Sequence, residues 1–166
     1  AYDYKRWALE IDGVASATVI PRRRGPSTVD IVITGSEGAP SDQVIAACAA
    51  YIDEVRPVTA EVFVYAPLIH LVDATASIEL VSGYTLADVQ KAAQAAFNEE
   101  LGSLVPNEGL KRSRIGTVLG NLAGVADYEL HTPTSNVAPS EVADAIGWIR
   151  PGALLLQVFS LSLIHI

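Results

Sequence analysis

Residues 28–65 read TVDIVITGSEGAPSDQVIAACAAYIDEVRPVTAEVFVY, and this stretch predicts a strand, a helix and a second strand. Apolar residues alternate at its start, and its end is rich in β-branched and aromatic residues, as is typical of strands. Between them, apolar side chains recur at helical spacing, namely at Val44, Ala47, Cys48, Tyr51, Ile52 and Val55. Ser41 suits an N-cap and Pro57 ends the pattern, so we predict a helix over 41–56.

The residues before this stretch predict an opening helix and a hairpin. Helical spacing of apolar side chains ends at Gly13, a residue that readily closes a helix. Two alternating segments then flank a long hairpin tip that contains Pro21, Gly25 and Pro26. Together with the strand that follows the 41–56 helix, these elements predict a helix-β-β-α-β domain over residues 1–67.

The second half repeats this kind of organisation over residues 68–159. Residues 68–80 alternate weakly and read as one long strand or as two strands joined at Asp73. A helix over 85–104 follows, which Thr85 opens in the manner of a capping box and which carries one apolar stripe: Leu86, Val89, Ala93, Ala96, Phe97, Leu101 and Leu104. We expect a shorter second helix and then a strand at 128–130.

The end of this second domain is harder to assign from the pattern alone. Residues 138–147 look partly helical, and residues 153–159 are apolar enough for a buried final strand. The prediction is therefore an α+β protein with two small consecutive sheet-and-helix units, helix-β-β-α-β and then β-α-α-β. The last residues, 160–166, differ from everything before them, and we interpret them as a non-native tail.

Two short segments echo one another. A Gly-Val pair follows each of two predicted helices, at Gly13 and at Gly124, and each pair leads into a strand that ends at proline. Either an ancient duplication or shared turn chemistry explains the likeness.

Composition excludes several classes of protein. The chain has 166 residues, of which 50% are hydrophobic and 18% charged, and its formal net charge is −8. Nucleic-acid-binding domains are usually basic, so we expect no nucleic acid as partner. The longest unbroken apolar run is far shorter than the roughly 20 residues that span a bilayer. The chain contains no Met and opens on a helical pattern, so we interpret it as part of a longer protein.

Few residues are candidates for chemistry. His70, His131 and His165 have no metal-binding spacing, and Cys48 lies on the apolar face of a predicted helix. We therefore predict no catalytic residue, no metal and no cofactor. The alternative is a hydrolase or ligand-binding module whose site converges from separated residues such as His70, Asp73 and His131.

Three consecutive arginines, Arg22, Arg23 and Arg24, lie at the predicted hairpin tip. They would be exposed there, either as a solvated turn, or as a contact for carboxylates of a neighbouring subunit, or as a phosphate or nucleic-acid contact. Arginine pairs well with carboxylates, and a positive spot on an acidic chain would orient subunits during assembly. We thus predict a possible subunit contact at Arg22, Arg23 and Arg24.

The first domain carries a set of residues that matches a known family. They are these groups: Tyr4, Trp7-Ala8-Leu9-Glu10, Gly13-Val14, Gly25-Pro26, Val29, Ile31 and Tyr51-Ile52-Asp53-Glu54 with Arg56-Pro57-Val58-Thr59-Ala60. Over about residues 2–67 the chain thereby resembles the bacteriophage baseplate J-like proteins. Ser113-Arg114-Ile115 and Gly124-Val125 continue the pattern.

What this resemblance implies is a structural role. Such proteins build the wedges of contractile tail baseplates, so we expect assembly with other baseplate and tail proteins in a ring. We expect the protein in the virion tail, and in the host cytoplasm during assembly. The resemblance brings no catalytic residues to transfer.

Overall fold

A computed structural model describes residues 2–159, which form two compact units. The first contains the described residues up to Leu68 together with Glu141–Gly147, and the second contains Ile69–Ser140 and the described residues from Trp148 onward. His165 and the suspected tail at 160–166 lie outside the described residues.

The first unit follows the predicted helix-β-β-α-β order. Its sheet has the strand order β1-β2-β3, in which β1 pairs antiparallel with β2 and β3 pairs parallel with β2. Its elements are α1 (Tyr2–Leu9), β1 (Ser16–Pro21), β2 (Thr28–Thr34), α2 (Asp42–Val55) and β3 (Glu61–Tyr65).

The predicted 41–56 helix is confirmed as α2, and its ends have local causes. The hydroxyl of Ser41 accepts a hydrogen bond from the Val44 amide at 3.3 Å, which satisfies one of the free N–H groups of the first turn. The helix stops before Pro57, which cannot continue it. Its buried residues Cys48 and Ile52 share one core cluster with Ala8 of α1, Ala17 of β1, and Ile31 and Ile33 of β2.

The second unit consists of two helices beside the strands of a second sheet. Its elements are β4 (Leu68–Leu80), α3 (Leu86–Gly102), α4 (Arg112–Gly120), β5 (Val125–Thr132) and, from Trp148 on, β7 (Ala145–Val158). Residues 68–80 form one strand, not two, and the sheet order is β5-β4-β7 with the short β6 (Glu141–Val142) beside β7. The α+β fold class is confirmed.

The core of the second unit consists mainly of apolar side chains. The stripe of α3 supplies Val89, Ala93, Phe97 and Leu101, and all four side chains are buried. Of these, Ala93, Phe97 and Leu101 join one cluster with Val72, Ala74, Ala76, Leu104, Leu110, Ile115, Leu119, Leu130, Ile149 and Leu154. The predicted stripe of the 85–104 helix is therefore the face that packs.

The prediction of partial helix at 138–147 is wrong. These residues contain β6 (Glu141–Val142), a tight turn and the start of β7, with Glu141 paired to Ile146 and Val142 to Ala145. Alanine and glutamate favour a helix locally, but antiparallel pairing and contacts with distant arginines decide the conformation here. The final strand also begins at Ala145, because Pro151 and Gly152, which interrupt the pattern in sequence, are accommodated within β7.

The two echoing segments share one backbone feature. Gly13 has a φ of 95° and Gly124 a φ of 91°, and both lie in the left-handed region that glycine adopts at little cost. An added Cβ would lie 2.7 Å from Val44 Cγ2 at Gly13 and 2.5 Å from Tyr84 Cδ1 at Gly124. Shared turn chemistry therefore accounts for the likeness without a duplication.

Candidate functional site

The three arginines lie in the turn between β1 and β2, as predicted, but they differ in exposure. Arg22 takes a positive φ of 64° and is exposed. The side chains of Arg23 and Arg24 are only 11% and 18% exposed. The expectation that all three are exposed at the hairpin tip is thus wrong for Arg23 and Arg24, whose side chains are drawn inward by a buried carboxylate.

That carboxylate belongs to Asp30 in β2, which is fully buried. Arg24 Nε donates to Asp30 Oδ1 at 3.0 Å, and Arg23 Nη1 lies 3.6 Å from Asp30 Oδ2. The Tyr65 hydroxyl donates to Asp30 Oδ2 at 2.6 Å. A buried charge is costly unless it is paired and hydrogen-bonded, and these three partners meet that condition.

The environment of Asp30 also changes the acid-base behaviour of its partners. Burial, and then the hydrogen bond with Asp30, raise the pKa of Tyr65 to about 12. The hydrogen bond with Asp30 also raises the pKa of Arg24 above its usual value. The Arg24 guanidinium also lies 4.0 Å from the centroid of the Phe63 ring, a cation–π distance. Tyr65 therefore stays neutral, and it acts as a hydrogen-bond donor at neutral pH.

The Nη1 and Nη2 groups of Arg23 and Arg24 also hold the segment Glu141–Gly147, which we call the return segment. Arg23 donates to the carbonyls of Ala143 at 2.8 Å and of Val142, and pairs with the Glu141 carboxylate at 3.2 Å. Arg24 donates to the carbonyl of Asp144 at 2.9 Å and pairs with its carboxylate at 3.2 Å. The two arginines thus tie a distant part of the chain to the first unit.

The charges around this arrangement do not favour one class of ligand. Arg23, Arg24 and residues 141–144 line a surface cavity of about 580 Å³. Its walls carry both guanidinium and carboxylate groups, so its charge selects neither an anion nor a cation. Within residues 2–159, no group of three His, Cys, Asp or Glu side chains is arranged to hold a metal ion. The arginine cluster is best described as an intramolecular clamp.

The alternative site is not assembled in the described residues. His70 and Asp73 are three residues apart on β4, so they face opposite sides of the sheet. His70 accepts from the Ser140 amide, Asp73 accepts from the Ala153 amide, and His131 shares a 2.6 Å hydrogen bond with the Ser77 hydroxyl. Each therefore has its own local partner.

Cys48 behaves as the sequence predicts. It is fully buried in the core of the first unit, and burial raises the pKa of its thiol to about 11. A thiol that stays protonated and inaccessible is a poor nucleophile.

The structure also contains a feature that the sequence did not suggest, at the edges of the second sheet. Gln94 of α3 donates to the Gly152 carbonyl at 3.0 Å and accepts from the Leu154 amide at 2.9 Å. One turn earlier, Gln90 donates to the Leu154 carbonyl at 2.5 Å and accepts from the Leu156 amide at 2.8 Å. These two amide side chains imitate a neighbouring strand along β7.

A side chain also forms hydrogen bonds with the backbone on the β5 side of this sheet. Arg112 of α4 donates through Nε to the Pro133 carbonyl at 2.7 Å and through Nη2 to the Leu130 carbonyl. Unpaired strand edges invite association with other chains, so these contacts restrict where the second unit can add a strand. The i, i+4 spacing of two glutamines on one helix was the signal available in the sequence.

None of the described helices is both long and apolar enough to cross a membrane.

Comparison with known proteins shows two consecutive matches. The family model for the baseplate J-like central domain matches residues 1–66, and that for the baseplate J-like protein C-terminal domain matches residues 72–148.

Two curated relatives match across both regions. The chain is 30% identical over 153 residues to the Mu-like prophage FluMu protein gp47 of Haemophilus influenzae, covering 82% of this chain and 41% of that protein. It is 25% identical over 151 residues to the phage-like element PBSX protein XkdT of Bacillus subtilis, covering 84% of this chain and 43% of that protein. The chain thus spans less than half the length of these relatives. With a confirmed α+β fold and matches to both domains, the chain belongs to the baseplate J-like family.

Proposed function

We propose that this chain is a structural part of a phage or phage-like contractile tail baseplate, where it forms part of a wedge. The observation that carries this proposal is the succession of two baseplate J-like domain matches over residues 1–66 and 72–148. The family supports a role in the virion tail and association with other tail proteins.

The proposal extends to how the protein acts. It works by protein–protein assembly, with itself or with other baseplate proteins in a ring, and without catalysis or nucleic-acid binding. It assembles in the host cytoplasm before it becomes part of the virion. The separate local partners of His70, Asp73 and His131 support this proposal over a hydrolase or ligand-binding module.

A subunit contact at the arginine turn is part of the same proposal, but only one of the three arginines is expected to make it. Arg22 is the exposed member, and among the described residues it has no ion pair, so it is the arginine that can meet a neighbour's carboxylate. Arg23 and Arg24 support that contact by holding the turn in place through Asp30. Surface ion pairs contribute only about 0–1 kcal/mol, so the contact guides assembly more than it stabilises the finished ring.

The test of the assembly role uses the phage or prophage that encodes the protein. Deleting its gene should give tails without a complete baseplate in negative-stain electron microscopy, and mass spectrometry should find the protein in purified wild-type tails. Complementation with a Cys48→Ala, His70→Ala, His131→Ala variant should restore particles and infectivity, because none of these side chains performs chemistry. Complete baseplates in the deletion strain would refute the structural role, and non-infectious particles of normal composition in the variant would point to chemistry.

A further inference from the structure

The sheet edges of the two units differ, and this difference points to one strand as an assembly surface. In the second unit, side chains of Gln90, Gln94 and Arg112 form hydrogen bonds with backbone groups along β7 and around the end of β5. In the first unit, β3 is an edge of the sheet, and within the described residues no side chain bonds to the backbone of Glu61–Tyr65.

The direction of the β3 backbone groups follows from one hydrogen bond. The Glu61 amide donates to the Ser27 carbonyl at 2.8 Å, so the amide and carbonyl of Glu61 point toward β2. Successive residues of a strand alternate in this respect. The amides and carbonyls of Val62 and Val64 therefore point outward, to the open edge.

The opposite edge of the same sheet is less suited to accept a strand. The Arg22 amide donates to the Thr28 carbonyl at 2.8 Å, so the alternation directs the backbone of Ala17, Val19 and Pro21 outward on β1. Proline has no N–H to donate, and it is a common device for blunting an edge. By contrast, β3 contains no proline, and its four apolar or aromatic residues are all only partly buried.

We propose that β3 is an assembly strand and that its partner is β3 of a second copy of this chain, paired antiparallel about Phe63. This inference rests on the proposed assembly role and specifies one surface for it. Antiparallel pairing centred on Phe63 sets Val62 of each copy opposite Val64 of the other, and these are the residues whose backbone groups point outward. The edge is therefore complementary to itself, as a two-fold interface requires.

Charge supports this partner and this direction. Antiparallel pairing sets Glu61 of one copy opposite Tyr65 of the other, on the sheet face where the Arg24 guanidinium lies 5.7 Å from the Tyr65 ring. Parallel pairing in register would instead set two Glu61 carboxylates side by side, and like charges directly opposite destabilise a sheet. The total charge of −8 makes it important for two like chains to keep their carboxylates apart.

A pair of cysteine variants tests the proposal directly. Phe63 would form a non-hydrogen-bonded pair with its counterpart, in which the Cα atoms lie about 4.5 Å apart, and this distance lies within the range of a disulfide. Phe63→Cys is therefore expected to give a disulfide-linked dimer under mild oxidation. Thr18→Cys is the matched control, because Thr18 lies on the same sheet face at the centre of the other edge. The single native cysteine, Cys48, is buried in both variants.

The expected result is that Phe63→Cys cross-links at least about tenfold faster than Thr18→Cys in non-reducing electrophoresis, with both variants folded by circular dichroism. Equal rates for the two variants would overturn the proposal. If Phe63→Cys fails to fold, Phe63→Lys and Phe63→Glu provide a second test. Each alone should sediment as a monomer and their equimolar mixture as a dimer, whereas a mixture that stays monomeric contradicts antiparallel self-pairing.

The same cross-link, made in assembled particles, separates this inference from the proposed function. Tails that contain the Phe63→Cys protein without a cross-linked dimer would overturn the β3 interface and leave the structural role intact. A cross-link to a different tail protein would likewise reject the second copy as partner. Absence of the protein from purified tails would refute the proposed function, while dimerisation of the isolated chain would still support the interface.

Discussion

The two units stabilise their sheets in different ways. The first contains a fully buried carboxylate, Asp30, which two arginines and a tyrosine satisfy, and its β3 edge is open within the described residues. The second has an apolar core, and side chains from its helices form hydrogen bonds with backbone groups at its sheet edges. The second unit thus relies mainly on apolar packing, whereas the first combines an apolar core with a buried polar network.

The largest expected effect lies in the apolar core. Phe97 is fully buried in the second unit, so Phe97→Ala should lower the free energy of unfolding by about 3–5 kcal/mol, through lost burial and the cavity that remains. Chemical denaturation measures this change. Leu155→Ala is the control, since Leu155 is 61% exposed and should change stability by no more than about 0.5 kcal/mol. A loss below about 1 kcal/mol for Phe97→Ala would contradict its place in the core.

The next largest effect concerns the polar network. Asp30→Ala leaves Arg23 and Arg24 beside an empty site, and breaking a buried ion pair in this way costs about 3 kcal/mol or somewhat more. Asp53→Ala is the matched control, because Asp53 is 69% exposed and its pair with Arg56 contributes about 0–1 kcal/mol. Equal losses in denaturation would mean that the Asp30 network is no stronger than a surface pair.

Alkaline pH should distinguish the units. Tyr65 and Cys48, both in the first unit, have pKa values raised to about 12 and about 11, so folding favours their neutral forms. Their stabilising contribution is complete below the unfolded pKa values, about 9 for Cys and 10 for Tyr, and is lost as pH rises to the folded values. We expect a loss of at most about 2–3 kcal/mol per group by pH 12.

Amide signals of each unit, followed by NMR during an alkaline titration, measure this effect. Signals of the first unit should change first, and Tyr65→Phe should reduce the loss between about pH 10 and pH 12. If the amide signals of both units changed at the same pH, the two units would not differ in their sensitivity to alkaline pH.

A smaller effect is expected at the glutamine contacts of the second unit. Gln94→Ala removes the acceptor of the Leu154 amide, so hydrogen exchange at Leu154 should accelerate and stability should fall by about 1 kcal/mol. The Leu156 amide, which donates to Gln90, is the internal control and should keep its protection. Gln90→Ala should give the opposite pattern, and unchanged exchange at both sites would show that the edge is protected by other means.

The smallest effect on stability is expected at the exposed arginine. Arg22→Ser should change the free energy of unfolding by no more than about 0.5 kcal/mol, yet it should slow particle assembly at low salt. The difference should vanish at high salt, where charges are screened over a few ångströms. Arg24→Ser is the contrasting variant, because it removes partners of Asp30 and Asp144 and should destabilise the fold itself. Unchanged assembly rates of Arg22→Ser at low salt would leave Arg22 as a solvated turn residue.

The amino-acid sequence by itself determined the main elements of this protein. Local signals predicted the helices over 41–56 and 85–104, because the apolar period, the cap residues Ser41 and Thr85 and the proline after α2 act within a few residues of one another. The apolar face of each helix, the position of Cys48 in the core and the β1-β2 hairpin were predictable for the same reason. The resemblance to baseplate J-like proteins was also visible in the residues of the first domain.

Only the tertiary structure decided which groups the arginines contact and which conformation the residues at the end of the second domain adopt. Arg23 meets residues 118–122 positions away, and no local pattern encodes a contact over that distance. The return segment has a composition that favours a helix, and strand pairing together with the two guanidiniums overrides it. One residue in the sequence indicated these contacts, namely Asp30, a charged residue inside an apolar strand. A buried carboxylate must find a partner, and the nearest cations along the chain are the three arginines.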